Sequence, residues 1–365
     1  MRYFAHMPAR KPDGNLKRGW TTGACATAAT AAAYEALVTG RFPEAVTITL
    51  PRGEEPSFVL CRTGLDAGAA TAAVIKDAGD DPDVTHGAEV SATLRPGADG
   101  SGVTFRAGPG VGTVTKPGLP LPPGEPAINP GPRGMMTAVI HDLSRRFQGP
   151  EDVEVTVSIK DGETLAAKTM NGRLGILGGL SVLGTTGVVI PYSCSSWIHA
   201  IHRGIDVARA NGVTHIAAAT GSTSEQAVKK IYDLPDMALI DMGDFAGGML
   251  KYLRRHPLPR LTLAGGFGKL AKLAQGNLDL HSARSSLDLP RLATLAAETP
   301  DVAQQIAAAN TGMEALTLAQ GAGLPLADRV AAGAREVALA ALAGDVEVEV
   351  LVFDRKGQLV GRAGG

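Results

Sequence analysis

VTHIAAATGSTSE, residues 213–225, runs from an apolar strand pattern into a glycine-containing loop and then a helix. The same order returns in MALIDMGDFAGG at 237–248 and in LTLAGGFGKL at 261–270. Strand, glycine loop and helix in alternation are the pattern of a doubly wound, mainly parallel α/β sheet of Rossmann-like type. Ligands of such sheets bind beyond the carboxyl ends of the strands. The loops therefore locate a small-molecule site, with Thr220, Gly221, Ser222, Thr223, Asp241, Gly243 and Asp244 as its candidate members. An acidic residue at a strand end suits ribose hydroxyls, and helix capping is its competing role.

Working outward, NGRLGILGGLSVLGTTG at 171–187 opens this region with six glycines. It lacks the Gly-Lys-Ser/Thr ending of a P-loop and is not GxGxxG, so it names no nucleotide by itself. A helix is expected near 194–211 and more helices over 290–343. VEVEVLVFDRKGQLVGRA closes the chain as a hairpin whose pattern echoes 153–169, so it is expected to return to the first domain. The expected organisation is an α+β domain over 1–170, the α/β domain over 171–345, and the hairpin over 346–365.

The first region begins with a polar lead-in to about residue 17 and an Ala-rich helix to about Leu37. AVTITLPRGEEPSFVL (45–60) reads as a hairpin about Pro-Arg-Gly, and GLDAGAATAAVIKDAG (64–79) as a second small-residue helix. AEVSATL, VTFRAG and VGTVTK read as short strands, RGMMTAVIHDLSRRF (133–147) as an amphipathic helix, and VEVTVSIKDGETLAAKT (153–169) as a hairpin.

Composition removes several function classes. A formal net charge of -1 and 4% aromatic residues give neither the basic surface nor the stacking platform of a nucleic-acid binder. No apolar run reaches a membrane-spanning length and no signal-peptide core is present, so a cytoplasmic protein is expected. Cys25, Cys61 and Cys194 are odd in number and widely spaced, which argues against a disulfide framework or a zinc site.

Several segments carry chemistry. RGWTTGACATAATAAAYEAL (18–37) places Thr21 or Thr22 as an N-cap, Gly23 for close approach, and a helix amino end suited to an anion; plain capping of a packed helix is the alternative. Cys25 has no base placed by sequence to activate it. KDAGDDPDVTHGAE (76–89) sets five carboxylates beside Lys76 and His86; a proton-handling role for Asp80, Asp81 or His86 stands against an ordinary turn, and its spacing is not that of an EF-hand. LPPGEPAINPGPRG (121–134) is a proline-stiffened loop bearing Glu125, Asn129 and Arg133, the last able to pair with a carboxylate. PYSCSSWIHAIHRG (191–204) lacks the geometry of a nucleophile elbow.

Together LKRGWTTGACATAA, KDAGDDPDVTHG, GEPAINPGPR, NGRLGILGGLSVLGTTG, GSTSE, GDFAGG and GGFGKLAKLAQGNLDLHS, in this order from about residue 16 to 282, resemble the cobalt-precorrin-5B C-1 methyltransferases of cobalamin biosynthesis. PYSCSSWIHAIHRG departs from the Pro-Met-Ser-Glu-Glu-like run of many members. The resemblance implies methyl transfer from S-adenosylmethionine to carbon 1 of a ring-contracted tetrapyrrole, with no protein-bound metal. On that reading Arg18, Thr21, Thr22, Lys76, Glu125, Asn129, Arg133, Asn171 and Arg173 meet the substrate, and Asp80, Asp81 and His86 serve the chemistry. Gly184, Thr185, Thr186 and Gly187 join the strand-end loops in holding the methyl donor, while the first domain supplies much of the tetrapyrrole site in a cleft. The expected partners are the tetrapyrrole and, beyond it, a second copy of the chain or neighbouring pathway enzymes. A nucleotide- or phosphate-handling enzyme and a non-catalytic tetrapyrrole carrier remain the rival readings.

Overall fold

The computed structural model describes residues 14–66 and 68–365, so the first part of the expected lead-in lies outside the described residues. The chain is mixed α/β and divides into two compact units, residues 1–193 and 194–365. The division falls after Ser193 and not at 170/171, so 171–193, with its glycine-rich run, belongs to the first unit.

Helix α1, Thr22–Thr39, organises the first unit. It is rich in alanine and buried on nearly every face, which marks a helix with neighbours all round it. One neighbour is helix α2, Pro130–Phe147, through Met136 and Ile140. The other is a six-stranded sheet, whose Ala70, Ala72 and Ala92 share a core with the alanines of α1. Small residues on both sides let helix and sheet approach closely. At the far end Tyr34 closes the layer, its hydroxyl donating to the Pro150 carbonyl at 2.8 Å.

That sheet explains a correction. The expected helix over 64–79 is instead parts of two antiparallel strands, Ser57–Asp66 and Ala69–Ile75, paired from Asp66↔Ala69 to Leu60↔Val74. Gly68 at φ +78° serves the reversal. Ala70, Ala72 and Val74 point into the core against α1, so tertiary packing overrides alanine's helix preference. The hairpin expected over 153–169 is likewise half right: Val153–Ile159 is a strand, but a short helix, Gly162–Ala166, follows. The hairpin at 45–60 and the helix around 133–147 form as expected, the helix starting at Pro130.

The second unit holds a five-stranded sheet in the order Leu239–Asp241, His215–Ala219, Arg260–Gly266, Glu347–Phe353, Leu359–Ala363. The first four are parallel and the last is antiparallel. Ile216, Ala218, Leu261, Leu263, Val348 and Val350 face a large core shared with the helices Cys194–Ala210, Ala246–Arg255, Phe267–Ala274 and Leu326–Leu342. Ala217, Ala219, Ala264 and Leu351 face the helix Ser222–Ile231 through Ala227 and Val228. Both faces are covered, which is why the strands read as continuous apolar runs. The C-terminal hairpin completes this sheet, where Glu347–Phe353 pairs with Arg260–Gly266, and does not return to the first unit.

Glu349 fixes that last addition. Its side chain is fully buried, yet it accepts from the Tyr232 hydroxyl at 2.6 and 2.8 Å, from Thr262 Oγ1 at 2.8 Å, and pairs with Arg362 at 2.6 Å. Burial pushes its pKa up, but these hydrogen bonds and Arg362 outweigh it and hold the carboxyl below its usual range.

Candidate functional site

The α1 amino end is sealed. Thr21 is the N-cap and its Oγ1 accepts from the Ala24 N–H at 3.2 Å, while the Gly23 N–H donates to the Leu183 carbonyl at 3.0 Å and the Thr21 N–H to Gly187 at 2.9 Å. Thr21 and Thr22 are buried. Gly184, at φ +118°, lies so close that a Cβ there would stand 2.3 Å from Thr21. Two N–H groups of the expected anion cradle, those of Gly23 and Ala24, are therefore spent on protein acceptors, and the Gly184–Gly187 loop is its lid. These four residues belong to the first unit and the strand-end candidates to the second. Thr21→Val is expected to cost about 1 kcal/mol in chemical denaturation, the usual value of a lost N-cap, with no change in ligand affinity.

Beside this lid lies the acidic loop. Gly19 and Gly79 permit its contact with residues 17–20: a Cβ on Gly19 would sit 2.0 Å from the Ala78 carbonyl carbon, and one on Gly79 2.2 Å from the Lys17 oxygen. The Trp20 N–H donates to the Asp77 carbonyl at 2.8 Å. Lys76, only 1% exposed, forms an ion pair with Asp83 at 2.6 Å, and Asp83 also accepts from Thr85 N–H and Oγ1 at 2.8 and 2.6 Å. Burial raises the Asp83 pKa, but Lys76 and Thr85 outweigh it and the net shift is downward. The buried Cys25 thiol is pushed up to about 12, chiefly by burial, so it is no nucleophile.

The three proton-handling candidates separate by their partners. The Asp80 carboxylate accepts from the Lys17 N–H at 2.6 Å and is exposed. His86 Nδ1 accepts from the Ala78 N–H at 3.1 Å, which leaves Nε2 to carry the proton of the neutral ring. Asp81 is half-buried and accepts from the Tyr192 N–H at 2.8 Å. Burial raises its pKa; the Tyr192 bond opposes this and nearby Asp83 adds to it. Tyr192 itself stands at φ +58°, a left-handed conformation uncommon for a non-glycine residue and frequent at functional sites.

Several expected substrate contacts serve the fold. Arg133 donates to the Ile128 carbonyl at 2.8 Å, pairs with Glu125 at 2.8 Å and lies over Phe105, so its carboxylate partner is internal. Asn171 is buried and bonds Gly179 and Ser181. Asn129 caps α2 through its backbone without a side-chain bond, Arg18 is exposed, and Arg173 is half-buried. Residue-type reasoning missed three exposed apolar side chains at this same end of the unit: Val84 in the acidic loop, and Leu183 and Ile190 flanking the glycine lid. Their only signal was an apolar residue inside a polar or glycine-rich loop.

In the second unit Thr220–Thr223 follow the strand His215–Ala219, and Asp241–Asp244 begin at the last residue of its parallel neighbour Leu239–Asp241; Gly265–Gly266, which were not among the expected residues, end the other neighbour. Gly221 is the N-cap of the helix Ser222–Ile231, and no side chain caps it. Gly243, at φ +56°, lets the Trp197 ring lie 3.0 Å from where a Cβ would be. Asp244 Oδ1 is buried and stands 3.1 Å from Lys269 Nζ, without a directed hydrogen bond. Among the described residues no group of three or more His, Cys, Asp or Glu is arranged to hold a metal ion, and no helix is long and apolar enough to cross a membrane.

The family model described as CbiD matches residues 9–191, and that of the CbiD C-terminal domain matches residues 279–364. A cobalt-precorrin-5B C(1)-methyltransferase of Brucella anthropi is 59% identical over 351 residues, 95% of either chain. One of Bradyrhizobium sp. is 58% identical over 98% of this chain and 96% of its own. The crystal structure of a cobalamin biosynthesis protein (cbiD) from Archaeoglobus fulgidus is 29% identical, covers 74% of this chain and 84% of its own, and has a TM-score of 0.41.

Proposed function

The chain belongs to the CbiD family, and from that premise we propose that it methylates carbon 1 of cobalt-precorrin-5B, with S-adenosylmethionine as donor, in cobalamin biosynthesis. The observation that carries this reading is the similarity, at 59% identity over 95% of the chain, to a curated enzyme of that name.

We assign the donor to the second unit, read as a doubly wound, Rossmann-like sheet on the strength of its four parallel strands and helices on both faces. The residues there fit it chemically. The uncapped helix at Gly221 offers backbone N–H groups to a carboxylate. Asp241 ends the second strand in chain order, where an acidic side chain meets ribose hydroxyls. The buried Asp244 oxygen is an acceptor without a hydrogen-bond donor.

The tetrapyrrole falls to the first unit, where Val84, Leu183 and Ile190 give an apolar support beside polar groups. When bound, S-adenosylmethionine supplies a methyl on a positively charged sulfur. The new carbon–carbon bond draws an electron pair from the ring, the carbon–sulfur bond breaks toward sulfur, and the ring, one positive charge richer, gives up a proton. We give that role to Asp81, which is half-buried beside the left-handed turn at Tyr192, whereas Asp80 is exposed. The rest is alignment, which can supply roughly 7 to 11 kcal/mol of barrier reduction.

Incubation with cobalt-precorrin-5B and S-adenosylmethionine is expected to give a product one methyl heavier together with S-adenosylhomocysteine, read by mass spectrometry. Tetrapyrrole binding without methylation would favour a carrier. Magnesium-dependent ATP binding in place of S-adenosylmethionine binding would favour a phosphate-handling enzyme.

A further inference from the structure

Lys269 sits in the first turns of the helix Phe267–Ala274, just beyond the third strand of the parallel set. Its Nζ donates to the Thr220 carbonyl at 2.8 Å, in the loop after the strand His215–Ala219. The same ammonium stands 3.1 Å from Asp244 Oδ1, in the loop after Leu239–Asp241. One side chain therefore ties together all three strand-end loops. Thr220 is held from beneath as well: it is buried, its N–H donates to the Ala264 carbonyl at 2.9 Å, and Gly265 is small enough to admit its side chain. On the Asp244 side, the Leu280 N–H donates to the Asp244 carbonyl at 2.9 Å, and Lys272 Nζ bonds the Leu280 carbonyl at 3.2 Å.

We infer that Lys269 is the positioning residue of the donor site: it sets the separation of the Thr220–Thr223 and Asp241–Asp244 loops, and so the fraction of molecules in which their ligand-facing groups are in register. This inference rests on the assignment of S-adenosylmethionine to the second unit. Lys269 already spends its charge on Asp244 and a proton on Thr220, so it acts through these loops and not as a substrate-carboxylate partner. The backbone also ties these elements, the Met242 and Gly243 N–H groups donating to the Ala219 carbonyl at 2.9 and 3.2 Å, and Lys269 adds a side-chain tie one step further out, at Thr220 and Asp244. Removing the ammonium leaves Asp244 without its counter-charge and frees the Thr220 carbonyl. Apparent affinity then falls in proportion to the binding-competent fraction.

The test uses the full chain with Lys269→Met and Lys269→Arg, and titration calorimetry with S-adenosylmethionine and S-adenosylhomocysteine. For Lys269→Met the Kd of both is expected to rise about 10-fold, as for a competent fraction near one tenth. The KM for the donor should rise in parallel, with kcat at saturating donor and the KM for the tetrapyrrole essentially unchanged. Lys269→Arg, which keeps the charge and the donors, should recover most of the lost affinity, and serves as the folded comparison if Lys269→Met does not fold. A Lys269→Met protein, folded by circular dichroism, with wild-type Kd for the donor overturns the inference but not the donor assignment. A fall in kcat with unchanged KM also overturns it. Failure of the wild-type chain to bind S-adenosylmethionine overturns the assignment itself.

Discussion

Asp81→Asn is expected to lower kcat by about 10²- to 10⁴-fold, the usual worth of a positioned general base, while leaving the binding of donor and tetrapyrrole intact. The substitution is nearly isosteric, and the amide oxygen can still accept from the Tyr192 N–H, so the left-handed turn at Tyr192 keeps its anchor. What is lost is basicity. The pH profile gives an independent check of the sign. Burial raises the Asp81 pKa above its ordinary value of 3.8, and a base must be unprotonated to act. Wild-type kcat/KM should therefore fall as pH drops through a pKa on the alkaline side of 3.8, and the variant should lose that limb. A variant with near-wild-type turnover would remove Asp81 from the chemistry, and the same measurement on His86→Gln would then decide whether His86 carries the proton.

Glu349→Ala should lower stability by about 1 to 3 kcal/mol, because it removes a buried acceptor and leaves the Tyr232 and Thr262 hydroxyls without it. The carboxylate is fully buried and holds Tyr232, Thr262 and Arg362 on three different elements. Urea denaturation followed by the loss of helix signal would read this, and a cost within that of an ordinary surface substitution would show that the network relaxes around the gap. Since the folded-state pKa is lowered, this contribution is present above the unfolded value of 4.5 and is lost as pH falls through the folded pKa. The stability difference between wild type and Glu349→Ala should accordingly narrow in acid.

The strand-end loops of the second unit were legible because apolar strands followed by glycine and a helix have few alternative folds. The acidic loop stood out as a candidate because it sets five carboxylates near one lysine and one histidine. Which of them could act was not legible. Asp80, Asp81 and Asp83 are near neighbours in sequence, yet one binds Lys17, one binds Tyr192 and one pairs, half-buried, with the buried Lys76. Residues 64–79 were misread because alanine and glycine declare no periodicity: the same letters fit a helix surface or a strand packed on α1.

By itself the sequence determined the family, the α/β alternation after residue 213, and the α1 helix with a cap at Thr21 or Thr22, since each depends on local pattern or on matched segments in order. Only the tertiary structure decided that the α1 amino end is closed by Gly184–Gly187 while the helix at Gly221 stays uncapped, that the C-terminal hairpin joins the second sheet, and that Asp81 differs from its neighbours. The reason is physical. Capping preference and charge are properties of residues, but the occupation of a donor and the burial of a carboxylate depend on which distant segment arrives beside them.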